Sequence, residues 1–222
     1  MNLIPTDNAL PYLRVQKGQL DNVPDGQEFW SGYLEVTRKD FETIRPHLPF
    51  GCRSLLDIGG GMGGVDILIT RHYEGLHRQA EEGVRAPAPR VTILDGMEDS
   101  PKVEMHRKTF SNMWVAGEFM IANGVSAPYS VSPELAKLAA SEGSTTDHYD
   151  LVISLGAWCF HLQPSEYLDY VKLSTHRGSV VVVDMRRDRG QWQKQMSDEL
   201  RATPKVIWQG HPKFDRLVYR VG

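Results

Sequence analysis

The sequence predicts an α/β domain: a mostly parallel sheet of seven strands flanked by helices, with a helical cap at the N-terminal end. Three observations lead there. Short apolar runs alternate with stretches of helical periodicity along most of the chain, two central runs are apolar along nearly their whole length, and one run ends in a cluster of glycines. Alternation of this kind calls for parallel strands joined by crossover helices, and strands covered on both faces read as continuous apolar runs. At 222 residues, against about 150 residues per domain as a starting point, the chain is one large domain or one with a small appendage. We divide it into an arm and cap over 1–50 and a main domain over 51–222.

The elements follow in order. Residues 1–26 contain Pro5, Pro11, Gly18, Pro24 and Gly26 and read as an irregular arm. Phe29, Trp30, Tyr33, Leu34, Phe41 and Ile44 fall mostly at helical spacing, and Pro46 and Pro49 close that helix. The first strand, 54–58, runs into the glycines, and the helix after it (65–79) places Val65, Leu68, Ile69 and Leu76 on one face. A second strand, 91–94, ends at Asp95-Gly96. A helix over 112–122 is stopped by Asn123-Gly124. A short strand at 129–131 precedes a helix at 133–141 with proline in its first turn. Runs 151–155 and 180–184 are the clearest strands, with a helix over 164–174 between them. Trp192, Met196 and Leu200 mark a helix over 191–200, and 205–208 and 217–221 give two final strands.

Composition narrows the function. A net charge of -3 offers no cluster of Lys and Arg for a phosphate backbone, so no nucleic-acid partner is expected. Cys52 and Cys159 stand far apart with no CxxC pair, which argues against a disulfide framework or structural zinc and favours a reducing cytoplasm. No apolar run approaches the ~20 residues that span a bilayer, and the N-terminus lacks a signal-peptide pattern.

The strongest motif is Leu55-Leu56-Asp57-Ile58-Gly59-Gly60-Gly61-Met62-Gly63-Gly64, a strand entering glycines and then a helix. Without side chains the loop lets a ligand lie on the backbone, and the helix N-terminus presents free N–H groups. Gly59, Gly61 and Gly64 satisfy GxGxxG, so a dinucleotide fold is allowed. Asp57, Gly59, Gly61 and Gly63 also satisfy Asp-x-Gly-x-Gly-x-Gly, which resembles motif I of the class I S-adenosylmethionine-dependent methyltransferases. That resemblance covers about residues 50–222 and implies a Rossmann-like sheet, S-adenosyl-L-methionine as cofactor, and Asp57, Gly59, Gly60, Gly61 and Gly63 as cofactor-binding residues. An acid before the glycines suits a ligand carrying an ammonium group better than a pyrophosphate, which would set like charges together.

Asp95 ends the second strand, where the family places an acid on the two ribose hydroxyls; an ordinary turn aspartate is the other reading. Its separation from the glycines exceeds the usual ~20 residues, and we read 81–90 as an insertion. Glu98 and Asp99 could share the role. Ser130 or Ser132 is the candidate adenine contact. Asp150 begins the fourth strand, at the end away from the chemistry, and is read as structural.

The acceptor side falls on Ser154-Leu155-Gly156-Ala157-Trp158-Cys159-Phe160-His161. It lacks the Asn/Asp-Pro-Pro-aromatic tetrapeptide of many enzymes that methylate amino groups, and it lacks the acids of metal-dependent O-methyltransferases, so no metal is expected. A hydroxyl acceptor must lose its proton, and a histidine is the usual base, which makes His161 the candidate; packing at the following helix is its other reading. Trp158 and Phe160 could face the sulfonium or substrate, or simply pack. This loop, with Val183-Asp184-Met185-Arg186-Arg187, is also similar to sugar O-methyltransferases. That narrower likeness implies a small-molecule or sugar hydroxyl as acceptor, with Asp184 and Arg187 as substrate contacts unless they form a solvated charged loop. Trp30 and His47 are read as packing residues that could close over the site. N-methyl transfer to another acceptor and an NAD(P)-dependent oxidoreductase remain the alternatives; no Tyr-x-x-x-Lys pair stands on a suitable helix, and the segment 12–16 does not supply one.

Overall fold

The structure, a computed structural model, describes residues 3–10, 27–79, 88–95 and 113–222. Most of the arm, residues 81–87 of the expected insertion, and Glu98 and Asp99 lie outside the described residues. Among the described residues the strands are β1 (Ser54–Ile58), β2 (Arg90–Leu94), β3 (Tyr129–Val131), β4 (Tyr149–Ser154), β5 (Thr175–Arg186), β6 (Lys205–Trp208) and β7 (Phe214–Arg220). The helices between and before them are α1 (Gln27–Ile44), α2 (Gly64–Gln79), α3 (Met113–Ala122), α4 (Pro133–Glu142), α5 (Leu168–Ser174) and α6 (Gly190–Leu200).

The strands form one sheet in the order β3-β2-β1-β4-β5-β7-β6. β1 to β5 pair in parallel, while β7 runs antiparallel to both β5 and β6. Residues alternate across the sheet, which produces two cores. Leu55, Val91, Ile93, Leu151, Ile153, Val180 and Val182 pack with side chains of α1, α2 and α3. Leu56, Ile58, Leu94, Val152, Val181 and Val183 pack with α4, α5 and α6 on the opposite face. Both faces being covered is why the central strands read as unbroken apolar runs. The helix expected as a cap buries Tyr33, Phe41 and Ile44 in the first of these cores, so that core crosses the boundary drawn at residue 50. No helix among the described residues is long and apolar enough to cross a membrane.

Three elements differ from the sequence expectation. β5 starts at Thr175, but its register jumps from the Tyr149–Thr175 pair to the Leu151–Val180 pair, with Gly178 in the bulge at φ 92°. The polar His176-Arg177-Gly178 stretch carries no apolar signal. The helix expected over 164–174 is a 3-10 turn, Pro164–Glu166, and then α5, broken at Tyr167. β7 begins at Phe214 rather than 217; its first three residues include the charged Asp215 and Arg216, and the burial of Arg216 carries no apolar signal.

β1 and β4 are neighbours whose following connections leave toward opposite sides of the sheet. A crevice opens at such a switch point, outside the carboxyl ends of the strands, and ligands of open α/β sheets bind there.

Candidate active site

The glycine loop leaves β1 folded back on β2: the Gly59 N–H donates to the Leu94 carbonyl at 2.7 Å. Gly59, Gly61 and Gly63 have φ of 74°, 58° and 71°, a left-handed backbone that favours residues without Cβ. A Cβ on Gly59 would also run into the Cβ of Ala157, in the loop after β4. The two loops thus meet backbone to backbone. Asp95, at the end of β2, accepts a hydrogen bond from the Gly61 N–H at 3.3 Å, which sets its carboxylate on the rim of the loop.

The loop after β4 is tied down by Ser154. Its hydroxyl donates to the Ile58 carbonyl at 2.7 Å and accepts from the Trp158 N–H at 2.9 Å. A tight turn follows, with the His161 N–H on the Ala157 carbonyl at 2.8 Å. Across from both loops lies α1, whose Tyr33, Val36, Thr37 and Asp40 recur at i, i+3, i+4 and i+7 and so share one helix face. Together these walls enclose a cavity of about 480 Å³, lined by that face of α1, by Asp57, Gly59, Gly60, Gly61, Gly64 and Val65, by Asp95, and by Leu155, Gly156, Ala157 and His161. The size is that of a pocket for a small molecule or cofactor.

Its charge is one-sided. Asp40, Asp57 and Asp95 line the cavity, Asp40 paired from behind with Arg216 at 3.0 Å, and no Lys or Arg is among the described residues of the lining. Asp57 and its neighbour Asp66 are 5% and 0% exposed. Burial, reinforced by Asp66 and then Asp95, pushes the Asp57 carboxyl well above the usual carboxylate range. Burial raises Asp66 as well. A cationic group would relieve this negative field, whereas a pyrophosphate would add to it.

No family model matches the chain, and no curated protein matches it. Solved structures do. The chain is similar to the O-methyltransferase TomG of Streptomyces achromogenes, solved with SAM, at 14% identity and a TM-score of 0.52, covering 100% of this chain and 93% of that one. A methyltransferase of Pyrococcus furiosus matches at 12% identity and a TM-score of 0.50, over 98% and 100% of the two chains. The precorrin-6y C5,15-methyltransferase of Geobacter metallireducens matches at 12% identity and 0.52, over 85% and 88%. The chain has the class I methyltransferase fold.

Within this methyltransferase fold the structure gathers Asp57, Gly59, Gly60, Gly61, Asp95 and His161 around one cavity. It puts the other sequence candidates elsewhere. Gly63 is buried with Met120 packed where a Cβ would stand, so it lets α2 and α3 approach rather than opening the cradle. Trp158 is wholly buried, its indole N–H donating to the Pro164 carbonyl at 3.0 Å. It is a core residue and not a substrate contact. Phe160 stands in an aromatic group with His161, His211 and Phe214 at ring distances of 4.5, 6.4 and 5.3 Å, beside the cavity lining and not part of it. Asp184 is 1% exposed and bound in bidentate fashion by Arg216, Nε to Oδ1 at 2.7 Å and Nη2 to Oδ2 at 2.9 Å. It has no face to offer a sugar. Arg187 is exposed and donates to Asp215 at 2.8 Å and to the Gln209 carbonyl at 3.2 Å, the solvated charged loop of its other reading.

Several residues the sequence left open have structural places. Ser132 accepts from the Leu135 N–H as the N-cap of α4. Cys159 is buried, and burial holds its thiol far above the range in which it could ionise. Trp30 stacks on Tyr33 at 5.6 Å. Asp150 accepts from the Arg53 and Ser54 N–H groups and from the Ser54 hydroxyl at the amino end of the sheet.

Sequence reasoning missed three contributions. The α1 wall was hidden because Tyr33, Val36, Thr37 and Asp40 mix apolar and polar types. Asp66 reads as a first-turn acid favoured by the helix dipole, and its burial has no sequence signal. Arg216 reads as an exposed strand charge.

Proposed function

We propose that the protein is an S-adenosylmethionine-dependent methyltransferase that moves a methyl group to a hydroxyl of a small molecule or sugar. The observation that carries the reading is the cavity at the carboxyl ends of β1 and β4, built on bare glycine backbone and walled by Asp40, Asp57 and Asp95, with no Lys or Arg among the described residues of its lining. The cofactor, when bound, supplies a methyl group on a sulfonium, and its cationic end suits this wall. Asp57 and the backbone of Gly59 to Gly61 would hold the methionine part, and Asp95 would accept from the ribose hydroxyls. The same carboxylates disfavour an NAD(P)-dependent oxidoreductase, whose pyrophosphate would be set against like charge.

In-line displacement depends mainly on positioning. His161, exposed on the loop after β4 and in the cavity lining, is the group we assign to take the acceptor's proton. Such a base suits a hydroxyl acceptor, which is a weak nucleophile until its proton is removed. The acceptor side is completed by α1, whose Val36 and Thr37 offer an apolar and a hydroxyl contact.

A thermal-shift and calorimetry panel tests the cofactor: S-adenosylhomocysteine should bind while NAD and NADP do not. Binding of a nicotinamide dinucleotide without S-adenosylhomocysteine would overturn the reading. Methyl transfer from labelled S-adenosylmethionine to phenols and sugars, set against amines, then tests the acceptor class.

A further inference from the structure

Beneath the glycine loop two carboxyl groups meet. Asp57 is the fourth residue of β1 and Asp66 lies in the first turn of α2, both buried. Neither oxygen of Asp66 has a hydrogen-bond donor aligned on it among the described residues, and the side chain it meets is Asp57. Two carboxylates in one dry site cannot both stay ionised; one proton is shared and belongs to the pair.

Among the described residues of the cavity lining no Lys or Arg stands as a fixed counter-charge to the pair. From α1, Tyr33 faces Asp66, and burial keeps its hydroxyl protonated far above neutrality. From β2, Asp95 adds negative field on Asp57. Asp40, itself paired with Arg216, and His161 line the same cavity. Asp57 reaches the cavity and Asp66 does not, so a ligand meets the first and the second acts only through it.

We propose, resting on the methyltransferase reading, that Asp66 is a positioning residue for the cofactor. It keeps one proton on the Asp57–Asp66 pair while the cavity is free, and that proton passes to solvent when the cofactor's ammonium group arrives beside Asp57. Cofactor binding is therefore coupled to proton release. Raising the pH strengthens binding, by up to about tenfold per unit, until the pair ionises without the ligand. A ligand amine that entered neutral and took up a proton would give the opposite sign.

The test is calorimetry of the full chain with S-adenosylhomocysteine between about pH 6 and 8, where carboxylates of ordinary pKa are already ionised. Each pH is run in two buffers of different ionisation enthalpy. The wild type should release close to one proton at the acidic end and less at the basic end, with affinity rising in step. Asp66→Asn should release less of a proton, over a range shifted to lower pH, because the Asp57 carboxyl loses its acidic neighbour while its burial remains. Asp66→Glu, which restores a second carboxyl, should restore the release. His161→Gln should leave it in place; its loss there assigns the proton to the histidine and overturns the proposal. A wild type that binds without releasing a proton overturns it too, whether or not the variants fold. No heat with S-adenosylhomocysteine at any pH overturns the cofactor reading and this proposal with it.

Discussion

Replacing Arg216 by methionine tests the place the structure gives Asp184, a buried anchor. Arg216 is 1% exposed and joins three elements. It holds both oxygens of Asp184 on β5, donates to Thr43 Oγ1 of α1 at 2.6 Å, and pairs with Asp40 at 3.0 Å. Its guanidinium lies over the Trp208 ring at 5.1 Å. Methionine keeps the length and apolar stem but leaves Asp184 buried without its cation. Breaking a buried ion pair on one side costs about 3–5 kcal/mol. For a chain of this size 1 kcal/mol moves Tm by about 2–4 °C, so the variant should melt about 6–20 °C lower.

The loss should depend on pH in a defined direction. Burial already raises the Asp184 carboxyl despite Arg216, and without the arginine it rises further. A carboxyl whose folded pKa lies above its unfolded value binds more protons in the native state, so stability falls as pH rises above the unfolded value of about 4. Denaturant unfolding should show Arg216→Met closest to wild type near pH 5 and furthest from it near pH 8. Adding Asp184→Asn should remove most of that pH dependence. A loss under about 1 kcal/mol, well short of the cost of an unpaired buried charge, or one equal at both pH values, would refute the anchor role.

Three further outcomes are expected. In Gly60→Ala the new Cβ would stand 2.7 Å from Asp57 Oδ2, and since Asp57 is buried it cannot swing clear; overpacking of about 1–3 kcal/mol should weaken S-adenosylhomocysteine by tenfold or more, and an unchanged calorimetric Kd would displace the cradle. Asp95→Ala should weaken the same ligand by about 1–3 kcal/mol through loss of two hydrogen bonds to a charged group; equal affinity would move the ribose site elsewhere. His161→Ala, assayed on an acceptor found by the methyl-transfer panel, should lower kcat while cofactor affinity holds, whereas a fall in Tm with unchanged kcat would make it a packing residue.

What the sequence by itself determined is local and periodic. The strands at 54–58, 129–131 and 205–208 match their observed spans, each a short β-prone stretch with Gly59, Pro128 or Pro204 marking one end. Asp57, the glycines and Asp95 were legible as a ligand cradle because bare backbone after a strand and an acid at a strand end have a chemical meaning at fixed spacing. Only the tertiary structure decided which charges are buried and which aromatic residues reach the cavity. Asp184 and Arg187 stand three residues apart, yet one is sealed under Arg216 and the other lies in solvent with Asp215. Trp158 and His161 share one turn, yet the indole turns into the core and the imidazole toward the cavity. Nor could spacing reveal that Asp66 meets Asp57, or that α1 supplies the opposite wall, with Asp40 standing 17 residues before Asp57. The physical reason is that burial and pairing depend on neighbours brought together by the sheet order, and that order is set by packing energy summed over the whole chain rather than by any single stretch of it.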